Sequence, residues 1–154
     1  TRHRFFSVSK EATKQLLQAV YCLGFCYCEL CLFEKAFYYL NMVKSTGDIH
    51  HAMEYVNVLA NSGDLRVFKE IETIVDDVRQ QFPDDDDLPE HVQKLLSFLK
   101  RRHGYSLIEF GKLDEAEKVF KSLLDDPTSQ DYAVSELAYI QKLKANESPE
   151  SSEA

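Results

Sequence analysis

A chain of 154 residues with 44% hydrophobic and 29% charged residues can bury a core and is not globally disordered. Its net charge of −8 opposes binding to nucleic-acid phosphates, which relies on Lys and Arg neutralisation. Only five Gly and four Pro occur, too few breakers for the many turns of a β-sandwich or barrel, so long helices with short connections are expected. The charge is uneven: residues 1–47 carry six basic and three acidic groups, a local +3, and the remainder twelve basic and 23 acidic, a local −11.

Taken in chain order, Ser7 or Ser9 caps a first helix to about Leu30, with Lys10 and Glu11 in its opening turn. Thr1 stands where an initiator Met would, and no signal-peptide pattern opens the chain, so an upstream extension is expected. The run Leu16 to Phe33 is nearly all apolar, but it holds Gln18, Gly24 and Glu29, so it reads as a buried helix and not a membrane span. A break near Cys31-Leu32 leads to a second helix, Phe33 to Lys44. Asp48 caps a third, Ile49 to Asn61, and Ser62-Gly63-Asp64 turns into a fourth, Leu65 to about Gln81.

Pro83 stops the fourth helix, and Asp84 to Asp87 forms a solvated connector because adjacent carboxylates resist burial. Pro89 suits the first turn of a fifth helix ending near Phe110. Gly111-Lys112-Leu113-Asp114 turns the chain, with Asp114 capping a sixth helix that ends at Asp126-Pro127. Ser129 caps a seventh, to about Ala145, and Asn146 to Ala154 reads as a disordered tail.

No motif demands chemistry. On one continuous helix Cys22 and Cys26 share a side, with Cys28 and Cys31 on the opposite one, so four sulfurs cannot surround an ion. They read as small packing residues in a reducing, cytoplasmic compartment. His50, His51, His91 and His103 lack zinc-hydrolase spacing, and Asp84 to Asp87 lacks the alternating ligands and Gly of a calcium loop. No Gly-rich phosphate loop or nucleophile elbow is present. No metal, cofactor or enzymatic activity is expected.

His103-Gly104-Tyr105, then Leu107, Gly111, Leu113, Glu115-Ala116, Phe120, Leu123 and Pro127, resembles a tetratricopeptide repeat. In this pattern Gly104 lets two helices approach, Ala116 fills the small gap, Gly111 supplies the turn, and Leu107 and Phe120 close the core. The first hairpin is similar: Leu23-Gly24, Tyr27 and Ala36 match, Cys31 replaces the turn Gly, and Leu40 replaces the aromatic. Twelve residues separate Gly24 from Ala36, and twelve separate Gly104 from Ala116. The middle hairpin departs, with Val56 in place of Gly and Phe68 in place of Ala.

The resemblance implies an all-α fold, a right-handed α-α superhelix (a TPR-like solenoid) of three hairpins plus a C-terminal capping helix. It would form one domain over 1–145, with hairpins at about 9–45, 48–82 and 89–127, a capping helix at 129–145 and a tail at 146–154. It also implies a non-catalytic scaffold binding a protein or peptide in a concave groove. Carried over, the groove residues are Tyr21, Phe25 and Glu29, with Gln18 and Cys28, on the first hairpin. Met53, Asn57 and Asn61, with His50 and Ala60, come from the second, and Phe98, Arg101, Tyr105 and Glu109, with Ile108, from the third. Independently of the family, Arg101 shares a helical face with Phe98 and Tyr105, the composition of a recognition surface. The family's chaperone-tail clamp is not expected, because Phe25, Glu54 and Phe98 occupy clamp positions and only Arg102 matches.

The alternative is a structural C-terminal module of a longer repeat protein, mediating self-association or capping another domain. The first helix is apolar around most of its circumference, through Leu16, Leu17, Val20, Tyr21, Leu23, Phe25 and Tyr27. One partner helix cannot cover that, so upstream repeats or a second copy in a two-fold homodimer are expected to.

Overall fold

The structure, a computed structural model, describes residues 9–147, the side chain of Ser9 excepted. Expectations for Ser7 or Ser9 as a cap and for 148–154 lie outside the described residues. Those residues form seven α-helices and no strand. None of the helices is long and apolar enough to cross a membrane. The chain divides into two compact units, Thr1–Ser62 and Gly63–Ala154.

In the first unit, α1 (Ser9–Glu29) and α2 (Phe33–Val43) form a tight antiparallel hairpin, and α3 (Ile49–Asn61) packs on both. The hairpin is tight because Gly24 has no side chain: a Cβ there would lie 2.6 Å from Leu40 Cγ. Leu40 is fully buried with Ala36 and Val43, a spacing of four and three that lays one apolar stripe of α2 on its neighbours. The turn after α1 carries Cys31 in the left-handed region, at φ 58°. The Cys31 amide bonds to Cys28 O at 3.0 Å and the Leu32 amide to Tyr27 O at 2.9 Å, a Schellman cap. Asp48 caps α3 as expected, accepting from the His50 amide at 2.8 Å.

In the second unit, Asp64 accepts from the Arg66 amide at 2.9 Å and from its guanidinium, which starts α4 (Arg66–Gln81). The Arg66 hydrogen bonds hold the Asp64 carboxyl below the usual range. Asp85–Asp87 is a short 3₁₀ turn, exposed throughout, with Arg79 paired to Asp85. Next, α5 (Glu90–Glu109) and α6 (Leu113–Ser122) repeat the first hairpin. A Cβ on Gly104 would lie 2.5 Å from Phe120 Cζ, so Gly104 and Phe120 play the parts of Gly24 and Leu40. The Gly111 amide bonds to Ile108 O at 2.9 Å and the Lys112 amide to Leu107 O at 2.8 Å, the same Schellman cap with a glycine at φ 75°.

The last helix, α7 (Gln130–Glu147), docks on α6. Its Ala133 and Ile140 join Leu107, Ile108, Leu113, Ala116, Phe120 and Leu123 in one core, and Phe68 packs against it from α4.

Three details correct the expectations. Asp114 does not cap α6: the Schellman turn runs straight into the helix, which begins at Leu113 with no side-chain cap, and Asp114 pairs with Lys144 instead. The helix after Ser129 runs through Asn146 and Glu147, where the tail was expected to begin. The atoms nearest to a Cβ on Gly104 belong to Phe120, so that ring, rather than Ala116, limits the close approach.

Candidate functional site

In the first unit the expected residues fall into two groups between α1 and α3. Tyr21 stacks on His51 with centroids 4.7 Å apart, and Phe25 lies 6.5 Å from Tyr21 with 40% of its surface exposed. Burial raises the Tyr21 hydroxyl's pKa, with Glu54, Cys22 and Asp48 adding to it. His51 itself is buried, its Nδ1 2.8 Å from Thr46 Oγ1 and its Nε2 3.8 Å from Asp48. This histidine was missed in favour of His50. The signal was its place in the row His51, Tyr55, Val58 and Leu59, which is the buried face of α3.

The second group surrounds Cys28, whose thiol is pushed up to about 11 by burial first and then by Glu54 and Glu29. Asn61 and Glu54 both reach its sulfur, and Asn57 Nδ2 donates to Glu54 at 3.5 Å. Met53 and Asn57 are half-buried, while Glu29 and Asn61 are exposed. Cys22, Cys26 and Cys31 are free and exposed thiols. Among the described residues no three His, Cys, Asp or Glu side chains come together as a metal-binding group.

In the second unit the expected residues lie on α5. Arg101 Nη1 donates to Ser129 Oγ at 2.6 Å, which ties α5 to the start of α7. Beside it Ser97 donates to Asp126 at 2.5 Å, and Asp126 also accepts from the Thr128 amide and hydroxyl. Burial alone would raise Asp126, but bonds from Ser97, Thr128 and Ser129 outweigh it and hold the carboxyl low. Phe98 and Ile108 are buried, so they underlie the face and are not presented by it; Tyr105 is half-buried and Glu109 exposed.

The cation that stands out is Arg102. Its guanidinium lies 5.8 Å from the Phe98 ring centre and 5.7 Å from that of Tyr105. No described carboxylate lies within ion-pairing distance of it. From α7, Tyr132 and Glu136 complete this face; burial raises both their pKa values, and the two arginines partly offset the effect on Tyr132. The sequence held the signal for Arg102, four residues after Phe98 and three before Tyr105, but composition drew attention to Arg101.

On roughly the opposite side of α5 lies an open cleft of about 900 Å³, floored by Ile71, Val75, Leu96 and Leu99. A smaller one of about 480 Å³ opens between α1 and the start of α3, beside Lys10, Lys14 and His51. Comparison with known protein families, with curated proteins and with solved structures finds no match in any of the three.

Proposed function

We propose that this chain is a tetratricopeptide-like helical-repeat module, a right-handed superhelical solenoid, that binds a protein or peptide without catalysis and without a cofactor. The repetition of one hairpin supports the solenoid reading: a Gly against a large residue sixteen positions on (24 and 40, 104 and 120), with the same Schellman-capped turn between them. Three exposed free thiols fit a reducing, cytoplasmic setting.

The observation that carries the binding reading is Arg102. A guanidinium held by two aromatic rings is ordered before any partner arrives and keeps its N–H edge for a carboxylate or carbonyl acceptor. Tyr105 and Tyr132 beside it are the residue type that dominates binding energy at interfaces. The test is co-purification of partners from native extract with wild type and with Arg102→Ala or Tyr132→Ala, each checked for helicity. A partner held by wild type should be lost, or bound about tenfold more weakly, with either variant. Equal retention by folded variants would remove this face from the function.

A further inference from the structure

One row of α1, continued by Leu30 in the turn that follows it, faces neither α2 nor α3. Ala12, Leu16, Ala19, Leu23, Cys26 and Leu30 follow at intervals of four, three, four, three and four, and all six are exposed. Leu16, Leu23 and Leu30 expose 63%, 40% and 67% of their surface. Gly24 and Cys28, which face the hairpin partner and the core, lie roughly 150° around the helix from this row. A strict four-three apolar repeat is the seam of a two-stranded coiled coil, in which each side chain needs a hole in a facing helix.

We infer that this seam pairs with the same seam of a second copy, antiparallel, about a two-fold axis at the level of residue 21. The row alternates small and Leu, and the alternation is self-complementary only in that direction. Turned end for end, Leu23 meets Ala19 of the second copy, Leu16 meets its Cys26, and Leu30 meets its Ala12, so every layer is one large side chain over one small one. A parallel pair would stack Leu on Leu and Ala on Ala, alternating crowded layers with voids. The flanks agree: antiparallel pairing sets Gln15 opposite Glu29 of the second copy and Val20 opposite its own mate, and no like charges meet. Cys22 then lies beside the Cys22 of the second copy. The pairing stands on α1 alone and does not depend on Arg102.

Sedimentation equilibrium of the full chain over a range of concentrations is the first measurement, and a monomer–dimer equilibrium is expected. Leu23→Glu should raise the dissociation constant about a hundredfold or more, because each copy would bury a carboxylate at the axis. Ala19→Leu should weaken it too by closing the hole opposite Leu23, and Met42→Glu on α2 should not. Orientation is read with a short bismaleimide on single-cysteine chains, in a background with Cys26→Ala, Cys28→Ala and Cys31→Gly. Cys22 should cross-link to itself. Gln15→Cys, placed in that background with Cys22→Ser, should not, since antiparallel pairing separates its two copies by about 18 Å along the axis. Gln15→Cys mixed with Glu29→Cys should cross-link. A chain that stays monomeric, a dimer indifferent to both Leu23→Glu and Ala19→Leu, or self-linking of Gln15→Cys would each overturn the inference.

Discussion

At the scale of single residues, two positions govern the hairpins. A Cβ on Gly104 would overlap the ring of Phe120, which is fully buried and cannot swing away. Gly104→Ala is therefore expected to destabilise the second unit by about 1–3 kcal/mol, even though alanine favours helix, with urea denaturation as the measurement. Cys31 is the reverse case, a side chain held at φ 58° where the equivalent turn uses Gly111. The left-handed region costs a non-glycine residue about 1–2 kcal/mol, partly offset by the backbone freedom a glycine loses on folding, so Cys31→Gly should stabilise the first unit by up to about 1 kcal/mol. Chemistry separates the four thiols as well. Cys28 is buried and pushed up to about 11, so at mildly alkaline pH iodoacetamide should modify Cys31, which is exposed and outside the α1 seam, well before it, as peptide mass mapping would resolve.

At the scale of elements, α7 is fastened to α6 by more than its apolar face. Lys144 Nζ lies 2.7 Å from Asp114 and 2.6 Å from Glu117, and Lys121 reaches Glu117 from within α6. Lys144 and then Lys121 hold the Glu117 carboxyl down at about 2. A depressed carboxyl contributes stability above its unfolded pKa and loses it as the pH falls through the folded one. The advantage of wild type over Lys144→Met should therefore be full above pH 4.5 and vanish as the pH falls towards 2, read as the difference in Tm.

The helices themselves were legible in the sequence because their punctuation is local. Asp48, Gly63, Pro83 and Gly111 mark ends that any chain with those residues would make, and the third helix begins and ends where the pattern placed it. The site was less legible because its decisive facts are tertiary. Whether an α5 side chain is buried like Phe98 or tied to Ser129 like Arg101 depends on its neighbours in space, which sequence spacing does not encode; only the pair of rings around Arg102 follows from spacing. The same holds for α1: its apolar excess was plain, but the clean seam emerges only once Gly24 and Cys28 are known to face inward.

At the scale of the whole molecule, charge and apolar surface are distributed differently. Residues 1–62 carry six basic and five acidic groups, a net +1, and residues 63–154 twelve basic and 21 acidic, a net −9. The self-pairing seam is uncharged and lies in the nearly neutral unit, while repulsion between copies comes from the acidic one. Screening weakens that repulsion and leaves the apolar contact intact, so raising the ionic strength should tighten the dimer, in contrast to an association built on ion pairs. Sedimentation at low and high sodium chloride would show the direction.

The pairing of Gly24 with Leu40, and of Gly104 with Phe120, also sets a tempo. Each contact closes a loop of sixteen residues, short enough to form in well under a microsecond, and brings two helices together at their tightest point. Nothing remote in the chain need arrive first. The hairpins are thus the expected nuclei of their units, and a chain assembled from such near-neighbour contacts folds in the microsecond-to-millisecond range typical of helical proteins. In temperature-jump relaxation, Gly104→Ala would then show its damage mainly as slower refolding, and Lys144→Met, which loosens a helix that docks later, mainly as faster unfolding.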